Sequence, residues 1–95
     1  MMPLNALGLE IERRLTRVFA PLTLDTQDES HLHAGHAGSV GGGQHFAVTM
    51  RSAVFQGLSA VKRHQAVYAV LGDLMLAMPT REQGYIHALK LQLSA

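Results

Sequence analysis

The chain has 95 residues, 47% of them hydrophobic and 16% charged, which is enough apolar material for a compact core and excludes a disordered chain. Eight Lys and Arg stand against seven Asp and Glu, a net charge of +1 that excludes a protein coating polyanions with its whole surface. Cysteine is absent, so there is no disulfide framework, no thiolate metal site and no cysteine nucleophile.

Met1 to Leu9 is mildly apolar but soon meets Glu10, Glu12, Arg13 and Arg14, unlike a signal peptide. Leu7, Ile11, Leu15, Val18 and Phe19 draw one apolar stripe and predict a helix with Asn5 as its N-cap. Glu10 faces Arg13 and Arg14 at helical spacing, and Pro21 stops the helix at Ala20. Leu22, Leu24 and Thr26 then alternate with Thr23, Asp25 and Gln27, which predicts a half-buried strand. Residues 29–43 hold five glycines and three histidines and read as a flexible His/Gly-rich loop, longer than a hairpin needs.

His45 to Met50 predicts a second strand, with Phe46, Val48 and Met50 on one face, paired antiparallel to the first. Ser59 caps a long helix predicted over Ala60 to Met78, closed by Pro79. Its expected buried stripe is Val61, His64, Tyr68, Leu71, Met75 and Met78, thickened by Val67 and Leu74. Ala66 to Met78 is the most apolar stretch, and at 13 residues it falls short of the roughly 20 that a membrane span needs. Thr80 to Gln83 reads as a capping-box turn, and Gly84 releases the chain into a last strand, Tyr85 to Leu93. Strict alternation there puts Tyr85, His87, Leu89, Leu91 and Leu93 on one face, and Ile86, Ala88, Lys90 and Gln92 on the other.

The order of elements predicts an α+β fold in a single domain spanning 1–95. Helices would cover one face of a three-stranded mixed sheet. The expected setting is soluble and cytoplasmic.

Topology gathers the histidines. The path from the second strand through the long helix to the last strand is a crossover, which returns the chain parallel to the strand it left. The last strand then starts at the sheet end where the glycine-rich loop lies. His87 should approach His31, His33 and His36 there, with His45 nearby. Each has a structural reading as well: His87 as a cap on the core edge, the loop histidines as solvated residues, His45 as a surface or network residue, and His64 as a helix-packing residue. Imidazole binds zinc, copper, nickel and iron. Two histidines leave such a metal half-coordinated, so a partner's ligands would complete the shell.

Catalysis has little support. Ser30 and Ser39 lie in the loop without a positioned base, and the adjacent carboxylates of Asp28 and Glu29 point to opposite faces of an extended chain. No enzymatic activity is expected.

Four blocks, Asp28-Glu29-Ser30, His45-Phe46, Val61-Lys62-Arg63-His64 with Val67-Tyr68, and His87-Ala88-Leu89, together resemble the BolA family in its order and spacing. The resemblance implies an α-β-β-α-α-β fold similar to a class II KH domain. It also implies an adaptor that binds a monothiol glutaredoxin and shares a 2Fe–2S cluster with it and with glutathione. In that arrangement the histidine of the H-A-L motif, His87, and a loop histidine are ligands. The loop position matching the family's ligand is His33, with His36 and then His31 as substitutes. Two departures stand out: the loop carries the extra stretch Ser39 to Gly43, and Met75 to Tyr85 is bulkier than the family's usual link. The family is also linked to transcriptional regulation, so DNA is the alternative partner. Lys62, Arg63, Lys90 and Arg51 are the candidate contacts, against a simple solvated helix start as the plainer reading. The G-x-x-G at Gly35 to Gly38 lies in the loop and not between two helices as in a KH core.

Overall fold

The computed structural model describes residues 4–30, 43–78 and 81–95. Helix α1 spans Ala6–Phe19, strand β1 Thr23–Asp28, strand β2 Gly43–Arg51, helix α2 Ala60–Leu71 and strand β3 Tyr85–Ser94. Single 3-10 turns occupy Ala53–Phe55 and Gly72–Met75. The sheet order is β1-β2-β3, with β1 antiparallel and β3 parallel to β2, so the sheet is mixed as expected.

Asn5 caps α1, its side-chain oxygen accepting from the Gly8 amide at 3.0 Å. Gly8 lies close against Phe46 of the sheet. A Cβ there would lie 3.0 Å from Leu4 and 3.2 Å from the Phe46 ring. The helix ends with Ala20 in the left-handed region (φ 42°), its amide donating to the Thr16 carbonyl. Pro21 enforces this stop by barring right-handed helical geometry at Ala20.

The core lies between the helices and one face of the sheet. Leu7, Ile11, Leu15 and Phe19 of α1 meet Phe46, Val48 and Met50 of β2, with Val67, Leu71, Leu74, Phe55 and Ile86 completing the cluster. Burying side chains of this size contributes about 1.5–3 kcal/mol each before entropy is counted. The other sheet face carries Thr23, Asp25, Gln27, Thr49, Arg51, Lys90 and Gln92, all exposed.

Two expectations for the second helix are corrected. It ends at Leu71 rather than Met78, and the chain tightens into a 3-10 turn over Gly72–Met75. That turn takes the place of the second helix in the expected helix pair. Tertiary partners hold it. Arg14 binds both Asp73 carboxylate oxygens, at 2.5 and 3.1 Å. Arg81 donates to the carbonyls of Asp73 and Leu76, each at 2.8 Å. The buried row is also rotated. Val67 and Leu71 are buried, whereas Val61 is 64% and Tyr68 38% exposed. The helix is apolar on most sides, so its periodicity did not select a face, and packing against the sheet did. His64 shares the row of Val67 and Leu71 but is only half-buried, and its ring Nδ1 donates to the Ala60 carbonyl at 2.8 Å.

Candidate metal centre

Gly84, in the left-handed region (φ 85°), turns the chain into β3. Gln44 steadies this entry. It donates to the Gln83 carbonyl at 2.7 Å and accepts from Asn5 at 2.7 Å, tying the start of α1 to the start of β3. No hydrophobic pattern points to Gln44, and sequence reasoning missed it.

β3 then pairs with β2 as Gly43↔Tyr85 and Gln44↔Ile86, but the next pair is His45↔Ala88. His87 is the extra residue of a β-bulge. The bulge overturns the expected alternation. Ile86 is buried, Leu89, Leu91 and Leu93 still pack on the core, and His87 is turned out to solvent. Without the extra residue, one alternation could not serve both Ile86 and the leucines.

The bulge brings the His87 ring beside that of His45, with centroids 5.2 Å apart and planes at 47°. Tyr85 stands edge-on to His87 at 6.3 Å. His45 is half-buried and held from behind by the end of β1. Its carbonyl accepts from the Glu29 amide at 2.8 Å, and its amide donates to Ser30 Oγ at 3.1 Å. The Ser30 amide in turn donates to the Asp28 carboxylate at 2.9 Å. The Asp28-Glu29-Ser30 block is therefore a clasp on the His45 backbone. Lys90 reaches across β2 to Glu29 at 3.3 Å and closes the exposed side.

His87 and the loop's flanking residues Ser30 and Gly43 thus share one end of the sheet. His31, His33 and His36 lie outside the described residues. Among the described residues no group of three His, Cys, Asp or Glu could hold a metal ion. The donor set present is an exposed imidazole with a second ring beside it, which fits one side of a shared metal group and not a closed site.

The four basic candidates are not brought together. Lys90 and Arg51 lie on the uncovered sheet face, and Arg51 donates to the Ala95 carbonyl at 3.1 Å. Lys62 and Arg63 lie in the helical layer, and Arg63 donates to the carbonyls of Phe55 and Leu93.

The family model for BolA-like proteins matches residues 15–95. The chain belongs to the BolA-like family. SufE-like protein 1, chloroplastic/mitochondrial, of Arabidopsis thaliana is 41% identical over 75 residues, covering 74% of this BolA-like chain and 20% of that protein. The DNA-binding transcriptional regulator BolA of Haemophilus influenzae is 35% identical over 83 residues, covering 87% of this chain and 71% of that protein. Among solved structures, the BolA domain of Arabidopsis SufE1 superposes with a TM-score of 0.78 at 33% identity, covering 97% of this chain and 94% of that one. The BolA-like chain thus spans a fifth of the SufE-like protein and most of the bacterial regulator. Among its described residues no helix is long and apolar enough to cross a membrane.

Proposed function

We propose that this chain is an adaptor that binds a monothiol glutaredoxin and, together with glutathione, co-ligates a 2Fe–2S cluster through His87 and His33. It would act in iron–sulfur cluster assembly or trafficking, or in iron and redox regulation, and its mechanism is ligand sharing without turnover. The observation that carries the reading is the bulge, which takes the H-A-L histidine off the core and presents it at the end of the sheet where the His-rich loop begins and ends. With no cysteine in the chain, its contribution to a cluster is imidazole, which raises the reduction potential relative to thiolate. The chain's own residues do three things. The β1 clasp steadies His45, the bulge presents His87, and the Gln44 bridge fixes the approach of β3.

The test is anaerobic cluster reconstitution with a monothiol glutaredoxin. His87→Ala should change the visible absorption of the pair and weaken the cluster, and His33→Ala should do the same. An effect of His36→Ala in place of His33→Ala would move the second ligand within the loop. Unchanged spectra and cluster lifetime with His87→Ala would remove the reading.

A second reading, a DNA-binding regulator, draws on the name of the Haemophilus relative. Two of its four candidate basic residues are bound to backbone carbonyls, and the four divide between two layers, so the first reading is favoured. Sequence-selective mobility shifts by the isolated chain, weakening steeply with salt, would reverse that preference.

A further inference from the structure

β3 is an outer strand of the three-stranded sheet, and its free edge has a defined pattern. The Ser52 amide donates to the Ser94 carbonyl at 2.9 Å, so the main-chain groups of Ser94 face β2. By alternation those of Gln92, Lys90 and Ala88 do so too, and those of Leu89, Leu91 and Leu93 face outward. The Leu93 carbonyl confirms the direction, since Arg63 of α2 reaches it at 3.4 Å. Among the described residues, no backbone-to-backbone hydrogen bond outside the sheet ladder uses Leu89, Leu91 or Leu93, and the Leu93 carbonyl keeps a second lone pair beside the one that Arg63 takes. Their side chains are only half-buried at the margin of the core, whereas Phe46, Val48 and Met50 on the central strand are fully buried. An apolar row and a row of outward main-chain groups thus reach the same edge.

We propose that two copies of this chain pair β3 to β3, antiparallel, about a twofold axis at Leu91, making one continuous sheet. The axis follows from the strand itself. The regular part of β3 lies between the bulge at His87 and the strand end at Ser94, and its midpoint is Leu91. In this register Leu91 meets itself and Leu89 meets Leu93 of the second copy, so the half-buried row is covered by its own kind. On the open face Lys90 stands opposite Gln92 of the second copy. Moving the axis to residue 90 would oppose two lysines, which is unfavourable, and moving it to residue 89 would run the ladder into the bulge. A twofold pairing of this kind is closed and does not propagate into fibres. The two His87 sites would lie at opposite ends of the shared segment, roughly 25 Å apart along the strands, and both stay open to a partner.

The experiment is sedimentation and amide hydrogen exchange on the full chain as its concentration is raised. The mass should rise toward that of two copies, and the amides of Leu89, Leu91 and Leu93 should become protected in step, while those of Lys90 and Gln92, already bonded to β2, stay unchanged. Gln92 is exposed, so its variants leave the fold intact. Gln92→Lys should weaken the pairing by roughly three- to tenfold, and Gln92→Glu should strengthen it by a similar factor. A chain monomeric throughout would overturn the proposal. So would a dimer whose Leu89, Leu91 and Leu93 amides exchange freely, or protection of those amides only when a different protein is added.

Discussion

Single side chains decide the junctions of this molecule. Ser52 is fully buried, donates to the Phe19 carbonyl at 2.6 Å and accepts from the Val54 amide at 3.2 Å. It joins the end of α1 to the turn after β2. Removing its hydroxyl leaves a buried carbonyl without that donor, so Ser52→Ala should cost about 1–3 kcal/mol. Thermal unfolding should then shift down by roughly 5–15 °C, and a shift of a degree or two would deny the residue this role. Ser52 shows no signal in the sequence, because a serine between a strand and a turn is ordinary in composition. His87 was legible as a candidate from the H-A-L block, but its exposure was not, because simple alternation assigned it to the apolar face.

At the scale of elements, ends and irregularities matter more than middles. The stop of α1 was readable from Pro21, yet the left-handed conformation of Ala20 was not. A Cβ in that region costs about 1–2 kcal/mol, part of which is returned by the smaller entropy of the unfolded alanine. Ala20→Gly should therefore stabilise the protein by roughly 0.5 kcal/mol, seen as a higher urea midpoint with unchanged slope. A lower midpoint would mean that Ala20 is not strained. The helix over Ala60–Leu71 was readable in kind and at its start, where Ser59 accepts from the Lys62 amide at 3.2 Å. Its end and its buried face were not, since Gly72, Arg14 and Arg81 act there through the tertiary structure.

Across the whole molecule, Arg14 is the main polar link between α1 and the segment after α2. It binds Glu10 and Asp73 through their carboxylates and also reaches the Val70 carbonyl at 3.1 Å. The hydrogen bond from Arg14, together with its charge, holds the Asp73 carboxyl below its ordinary value of 3.8. A carboxylate with a lowered folded value adds stability above its unfolded value and loses it as pH falls through the folded one. Asp73→Asn should thus lower stability near neutral pH by well under the ~1 kcal/mol ceiling of exposed ion pairs, because the side chain is 59% exposed. The gap to the unsubstituted protein should close in acid, at pH below 3.8. Urea unfolding at both pH values checks this, and a gap that widens in acid would contradict it.

The amino-acid pattern alone determined the α+β class, the strand pairings, the crossover that returns β3 beside β2, and the end of the sheet where His87 belongs. These follow from periodicity, caps and breakers, which are written in neighbouring residues. Tertiary structure alone decided the bulge that frees His87 and turns its ring onto that of His45, already expected nearby, the clasp of Asp28-Glu29-Ser30, and the face that α2 buries. Each of these arises where segments far apart in the chain must share one register or one hydrogen bond, and no local window of sequence holds both partners.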